Sequence, residues 1–139
     1  MTREYIDDLV NKLCAEYNTC NPYDLAEKLG FLVREDELGE NKGYCMQVFG
    51  TVHIVINHSL QDYEKMFTCA HELGHALIHE DLNIVSLRSC TYYSGSRFER
   101  EADFFAIRFL MQNIDNAYDL SSIAKAIGVK EEFILKTFE

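Results

Sequence analysis

The sequence predicts a single α+β domain in which a small antiparallel sheet of about three strands is packed with helices. Three observations predict this class. Apolar residues recur at helical spacing near both ends of the chain, a hairpin-like pattern lies between them, and 139 residues suffice for one hydrophobic core but not for two. We therefore expect one domain over residues 1–139, with a core at about 5–112 and a C-terminal helical segment at 117–139.

Two helices are expected before the strands. The segment Glu4–Tyr17 carries apolar side chains at intervals of three and four residues, which is the periodicity of one helix face. Asn21 is a good N-cap, and Pro22 directly after it suits the first position of a short second helix. Gly30 is expected to end that helix.

Three strands are predicted next. The first is Phe31–Arg34, and the stretch KGYCMQVFGTVHIVIN that follows is typical of a hairpin. The hairpin strands are expected at Tyr44–Phe49 and Val52–Ile56, joined by a turn near Gly50 and Thr51.

Helical spacing returns in the second half of the chain. The irregular, polar segment Glu80–Ser96 separates two strong helical patterns, and it could form a wall or lid of a substrate cleft or an ordinary surface loop. The predicted helices are Leu60 to about Glu80, Arg97–Gln112, Ser121–Ile127 and Glu131–Phe138, the last two divided by Gly128 and Val129.

Composition and charge argue against several classes of function. The formal net charge of −10 disfavours nonspecific binding to DNA or to an anionic membrane, because both require a basic surface. No apolar run is long enough to span a membrane, and the first residues lack the apolar centre of a signal peptide, so a cytoplasmic location is expected. The 5 cysteines are widely spaced without a C-x-x-C pair, which favours free thiols over disulfides or a cysteine zinc site.

The stretch TCAHELGHALIHE contains an H-E-x-x-H pattern. His71 and His75 lie one helical turn apart, where both imidazoles can reach one zinc ion. Glu72 is rotated by about 100° from His71, so it can reach a water molecule at the metal without being a ligand. Gly74 lies in the apolar arc, and its missing side chain suggests close approach of another element. For this motif alone, two unrelated core or surface histidines remain the alternative.

Catalytic zinc usually has three protein ligands and one open position, so a third ligand is required. His79 lies two turns from His71, about 12 Å along the helix axis, and therefore cannot share the ion. We interpret His79 instead as a histidine favoured by the helix dipole at the C-terminus of the helix.

The better source of the third ligand is the stretch RFEREADFFAIRFL. On a helical wheel, Glu99 and Asp103 lie within the apolar arc, whereas Glu101 lies on the opposite face and is expected to be solvated. Carboxylates that face a core are costly unless they are paired or bind metal. We therefore predict Glu99 as the third ligand and Asp103 as acceptor of the N–H of a ligand histidine, with Glu101 as the rival ligand.

Together, the HELGH and EREADFFA motifs resemble those of the ImmA/IrrE family of zinc metallopeptidases, and the order of elements over residues 5–112 is also similar. The resemblance implies a zincin-like fold with one Zn²⁺ per chain. It also implies the functional residues, which are the ligands His71, His75 and Glu99, the catalytic acid/base Glu72, and Asp103 at the family's Asp/Asn position. One departure is FLMQN where the family helix often ends in L-L-M-P, which concerns the helix end more than the chemistry.

The expected reaction is hydrolysis of a peptide bond. Zinc would acidify water and polarise the scissile carbonyl, while Glu72 takes the water proton and delivers it to the leaving amine. ImmA-like members cleave helix-turn-helix repressors, so the resemblance implies a site-specific protease acting on a repressor of a mobile element or prophage. Candidates for stabilising the oxyanion, among which the sequence does not choose, are Tyr92, Tyr93, Tyr44 and His53.

The C-terminal stretch LSSIAKAIGVKEEFILKTF has the pattern of half a helix-turn-helix, but it lacks the cations that DNA binding needs. Its apolar residues are interpreted as packing residues, with docking of the protein substrate as the alternative. Two other functions stay open, namely a non-catalytic module that binds a regulator and a general cytoplasmic zinc peptidase. Glu72 favours an enzyme, because a purely structural site needs no further carboxylate beside its ligands.

Overall fold

Six helices and a three-stranded sheet make up the described part of a computed structural model, which covers residues 2–79, 97–112, 114 and 119–139. This arrangement confirms the predicted α+β class. No helix within these residues is long and apolar enough to cross a lipid bilayer. The elements are α1 (Arg3–Tyr17), α2 (Pro22–Lys28), β1 (Leu32–Asp36), β2 (Gly43–Val48), β3 (Thr51–Asn57), α3 (Asp62–Ile78), α4 (Arg97–Met111), α5 (Leu120–Ile127) and α6 (Glu131–Thr137).

Side-chain caps fix the beginnings of the first two helices. The hydroxyl of Thr2 accepts a hydrogen bond of 3.1 Å from the backbone N–H of Tyr5. Asn21 Oδ1 accepts hydrogen bonds from the backbone N–H groups of Tyr23 and Asp24, at 2.9 and 3.2 Å. These bonds satisfy donors that a helix start leaves without partners, and they confirm the capping role predicted for Asn21.

The sheet has the strand order β1-β3-β2, and its directions are mixed. The β2–β3 hairpin is antiparallel as predicted, but β1 pairs with β3 in parallel, with Leu32 opposite His53. The expectation of a wholly antiparallel sheet was therefore wrong in one pairing. The physical reason is that the chain reverses direction between β1 and β2 and again between β2 and β3, so β1 and β3 run the same way. They become neighbours because β3 is the central strand, whose last residues, from Ile54 to Asn57, are all buried.

Two glycines allow α3 to approach its neighbours closely. A Cβ atom on Gly43 of β2 would lie 2.7 Å from the Thr68 methyl carbon of α3. A Cβ atom on Gly74 of α3 would lie 3.1 Å from Phe105 Cδ1 and 3.3 Å from the Cα atom of Ala102, both on α4. The close approach predicted at Gly74 is thus confirmed, and it brings the first turns of α4 beside the H-E-x-x-H residues.

Helix α4 also packs against α1, on which Ile6, Val10 and Leu13 are buried. An ion pair between Arg108 Nε and Asp7 Oδ1, 2.5 Å apart, joins the same two helices. The C-terminal helices α5 and α6 both contact α4 and contribute buried side chains to the common core. Helix α4 is therefore held by several partners, and its position relative to α3 is well determined by packing.

Candidate metal centre

The residues of the H-E-x-x-H pattern lie in the second half of α3, next to the first two turns of α4. His71 and His75 are stacked one turn apart, with ring centroids separated by 4.7 Å and ring planes nearly perpendicular. Glu99 reaches both rings from α4. Its Oε2 atom is 2.9 Å from His71 Nε2, and its Oε1 atom is 3.0 Å from His75 Nε2.

This group has the donor set and the spacing of a zinc site. Potential ligand atoms of His71, His75 and Glu99 all lie within 4.8 Å of one another. Ligands at ~2.0–2.1 Å from a tetrahedral zinc ion are themselves about 3.3 Å apart. The distances of 2.9 and 3.0 Å from the two histidines to Glu99 need to open by only a few tenths of an ångström, and no pair in the group is wider than 4.8 Å. Two imidazoles and one carboxylate would leave a fourth position open, as in a catalytic site. The residues present therefore fit the metal that the motif implies.

Asp103 lies on the far side of His71 from Glu99. Its Oδ1 atom is 2.8 Å from His71 Nδ1. A proton held on Nδ1 by Asp103 would leave Nε2 as the nitrogen that binds a metal ion. Burial alone would lower the pKa of His71, but the hydrogen bonds to Asp103 and Glu99 raise it well above its usual value. Burial would likewise raise the pKa of Glu99, yet the hydrogen bonds from His71 and His75 hold it well below its usual range. The metal-free group therefore holds protons where a cation would otherwise bind.

Glu72 is almost completely buried, with 4% of its surface exposed, next to His71 in the chain. Its negative charge is close enough to contribute to the raised pKa of His71. A carboxylate beside the ligand group, on the same helix, has the placement required for moving a proton to or from a water molecule there. Its catalytic role stays a prediction, as do the metal-binding roles of the three donors.

Two residues make a contact that the sequence interpretation did not include, although His79 lies at the C-terminus of α3 as expected. Glu101 is not solvated but buried, with 8% of its surface exposed, and its Oε1 atom lies 2.8 Å from His79 Nε2. The rival ligand is thus directed to His79 and lies outside the group of His71, His75 and Glu99. His79 is itself buried, and its Nδ1 atom is 2.9 Å from His75 Nδ1. Sequence reasoning missed this contact, although His79 has the same four-residue spacing from His75 that His75 has from His71.

The candidates for oxyanion stabilisation are only partly described. The Cβ direction of Gly43 points to α3, and side chains alternate along a strand, so Tyr44 projects to the opposite face of the sheet. His53 pairs with Met46 and shares that opposite face. The sheet therefore turns both side chains away from α3. Tyr92, Tyr93 and the proposed wall or lid at Glu80–Ser96 lie outside the described residues.

Comparison with known families places this geometry in context. The Peptidase_M78 model, described as the IrrE N-terminal-like domain, matches residues 26–139. The chain belongs to this family. The match covers most of the chain and confirms the resemblance to ImmA/IrrE proteins seen in the sequence motifs. The IrrE N-terminal-like domain of this chain includes the whole of α3 and α4.

Two curated relatives are similar to this chain in sequence, and one solved structure shares its fold. The chain is 34% identical over 130 residues to "Uncharacterized immunity region protein 2" of Bacillus phage phi105, covering 88% of this chain and 82% of that protein. It is 27% identical over 112 residues to "Metallopeptidase ImmA" of Bacillus subtilis (strain 168), covering 79% of this chain and 65% of that protein. A "Mycobacterium tuberculosis transcriptional regulator" shares the fold, with a TM-score of 0.60 and 20% identity, over 94% of this chain and 45% of that chain.

Proposed function

We propose that this chain is a zinc-dependent endopeptidase that cleaves a helix-turn-helix repressor of a mobile element or prophage at a specific site. The observation that carries the proposal is the convergence of His71, His75 and Glu99 on one point, with Glu72 buried beside them. Membership of the family and a relative named a metallopeptidase support the reaction class. A relative named for a phage immunity region supports the regulatory setting.

Each residue of the group has a distinct task in this proposal. A bound zinc ion would supply Lewis-acid chemistry, acidifying water and polarising the scissile carbonyl. His71 and His75 present Nε2 atoms, and Glu99 presents its carboxylate, to hold that ion. Glu72 accepts the proton of the attacking water and returns it to the nitrogen of the leaving amine. Asp103 holds the His71 ring through its Nδ1 atom.

The surface charge supports a protein substrate that carries positive charge. The chain has a formal net charge of −10, and a repressor that binds DNA presents a basic surface. Opposite net charges accelerate the encounter of two proteins and favour the correct partner. Because such a repressor acts on DNA, the proposed place of action is the cytoplasm, with neither nucleic acid nor membrane as a direct partner of this chain.

The decisive test compares wild-type protein and Glu72→Gln, both loaded with zinc, on a panel of helix-turn-helix repressors. The variant keeps the shape of the side chain but cannot take up a proton, so we expect cleavage to fall by about 10²-fold or more. Glu16→Gln, which makes the same change at an exposed position of α1, is the matched control and should cleave at the wild-type rate. Fragments are identified by mass spectrometry.

Other results of this test would replace the proposal. Equal fragments from wild type and Glu72→Gln, or intact repressors with zinc bound to the wild type, would refute the hydrolase. Tight binding of an intact repressor would then indicate a module that sequesters a regulator. Degradation of unstructured casein as fast as any repressor would instead indicate a general peptidase.

A further inference from the structure

The two histidines of the candidate metal centre are supported in different ways. His71 contacts a carboxylate directly, through its Nδ1 atom and Asp103. His75 reaches a carboxylate through a second imidazole, because its Nδ1 atom lies 2.9 Å from His79 Nδ1 and His79 Nε2 lies 2.8 Å from Glu101 Oε1. Both supports end on α4, but the second one is a chain of three residues, His75–His79–Glu101, which we name the histidine relay.

The chemistry of the relay fixes the direction of its hydrogen bonds. A carboxylate only accepts hydrogen bonds, so the proton of a neutral His79 must lie on Nε2, where it is donated to Glu101. His79 Nδ1 is then an acceptor, and the proton between the two rings must belong to His75 Nδ1. With a metal ion bound, the lone pair of a neutral His75 would thereby be directed to its Nε2 atom, whereas in the metal-free group that nitrogen carries a second proton and donates it to Glu99.

The opposite arrangement would disable the metal site. If His79 donated from Nδ1, the Nδ1 atom of His75 would have to accept, and the proton of a neutral His75 would lie on Nε2. That nitrogen could then not offer a lone pair to a cation. The identity of the residue at the far end of the relay, Glu101, therefore decides whether His75 can act as a ligand.

Burial strengthens this control. His75 has 0%, His79 3% and Glu101 10% of its side-chain surface exposed. The Phe98 ring packs edge-on against the His79 ring, with centroids 5.1 Å apart, and restricts its orientation. Water therefore has little access to replace one of these hydrogen bonds, and loss of a relay bond is costly in such a buried place.

We propose that His79 and Glu101 are positioning residues, which set the tautomer and orientation of His75 for metal binding. The inference rests on one part of the proposed function, the binding of a metal at His71, His75 and Glu99. It does not depend on peptide cleavage. Neither residue is expected to touch the ion or the substrate. Their effect should appear in the proton positions of the rings and in metal affinity.

The first experiment reads the proton positions directly by ¹⁵N NMR of the imidazole rings. In wild-type protein, both metal-free and loaded with zinc, we expect His79 to be the Nε2–H tautomer. In the zinc-loaded protein we expect His75 to carry its proton on Nδ1. A His79 ring protonated on Nδ1, or on both nitrogens, in the zinc-loaded protein would overturn the proposal.

The second experiment measures zinc affinity by competition with a chelator in a series of variants. His79→Leu removes both hydrogen bonds and should weaken zinc binding about 10- to 100-fold. His79→Gln should recover most of that loss, because its amide can accept from His75 and donate to Glu101. Glu101→Gln keeps the shape but can also donate, so we expect a mixture of His79 tautomers and an intermediate affinity.

His58→Gln is the matched control, since His58 and Glu37 form another histidine–glutamate contact of 2.9 Å that is exposed and lies outside the relay. Zinc affinity should be unchanged in this variant. Wild-type affinity in both His79→Leu and Glu101→Gln would overturn the relay and leave the hydrolase intact. Wild-type protein with the relay tautomers and bound zinc that cleaves no repressor would refute the proposed function and leave the relay intact. If His79→Leu fails to fold, Glu101→Gln alone decides.

Discussion

Replacement of Gly74 by alanine adds one methyl group where α3 approaches α4, and it tests whether this packing sets the geometry of the metal centre. The new Cβ atom would lie 3.1 Å from Phe105 Cδ1, 3.2 Å from Phe105 Cβ and 3.3 Å from Ala102 Cα. Comfortable contacts between carbon atoms are about 3.5–4.0 Å. The two helices would therefore have to separate by a few tenths of an ångström.

Two opposing effects determine the change in stability. Alanine is favoured over glycine within a helix by about 1 kcal/mol. Overpacking of a buried position costs about 1–3 kcal/mol, and Phe105 and Ala102 are both fully buried, with 0% exposure. We expect the overpacking to dominate, with a net decrease in the free energy of unfolding of about 0–2 kcal/mol.

The same displacement should weaken metal binding. Ala102 lies on α4 between Glu99 and Asp103, so a shift of its backbone moves both carboxylates relative to His71. Metal–ligand distances tolerate deviations of only about 0.2 Å, so a shift of this size matters. Zinc affinity should fall in Gly74→Ala even where the loss of stability is small.

Urea unfolding in the presence of a chelator measures the first effect, and chelator competition measures the second. Ala15→Gly, at an exposed position of α1, is the control that reports the glycine–alanine difference without a packing term. The reasoning is refuted if Gly74→Ala is stabilised by the full amount that Ala15→Gly loses and binds zinc as tightly as the wild type.

Two further predictions concern protons and the C-terminal helices. Hydrogen bonds to Asp103 and Glu99 outweigh burial and raise the pKa of His71, so the metal-free protein should keep a proton on this ring at neutral pH. Zinc binding should release that proton, and the affinity for zinc should therefore rise as the pH increases. Equal calorimetric heats in buffers of different ionisation enthalpy would contradict this release. Gly128→Ala should lower the free energy of unfolding, measured in urea, by more than Gly39→Ala does. Both glycines have positive φ angles, but only at Gly128 would a Cβ atom meet Tyr63, 2.8 Å from its Cγ atom. Equal costs of about 1–2 kcal/mol, the strain of a left-handed residue alone, would show that the Tyr63 contact contributes nothing.

Much of the candidate ligand group could be predicted because it depends on local spacing. The four-residue interval between His71 and His75 requires only a helix, and the H-E-x-x-H pattern provides one. Glu99 followed from its place in the apolar arc of the next strong helical pattern. The parallel pairing of β1 was not predictable in this way, because a hairpin can join a third strand on either side. The nearly continuous apolar run in β3 was the available signal that β3 is central.

The burial of Glu101 was missed because a helical wheel assumes one buried face. Helix α4 packs against α3 and also against α1, α5 and α6, so most of its circumference is covered. The stretch FFAIRFL, which is apolar except for one arginine, was the signal for a helix that is covered on most sides. The distance of His79 from His71 excludes it as a shared ligand, and its interpretation as a histidine at the helix C-terminus left out a contact with His75. A contact with His75 requires only one helical turn.

The packing of α1 on α4 has a consequence for the limits of the functional unit. The family match begins at residue 26, after α1 has ended, yet Ile6, Val10 and Leu13 cover the helix that carries Glu99. A shortened protein starting at residue 26 would expose that covered surface to water and lose the anchor between Asp7 and Arg108. Helix α1 thus serves as a brace for the candidate metal centre, although none of the three grouped ligand residues lies on it.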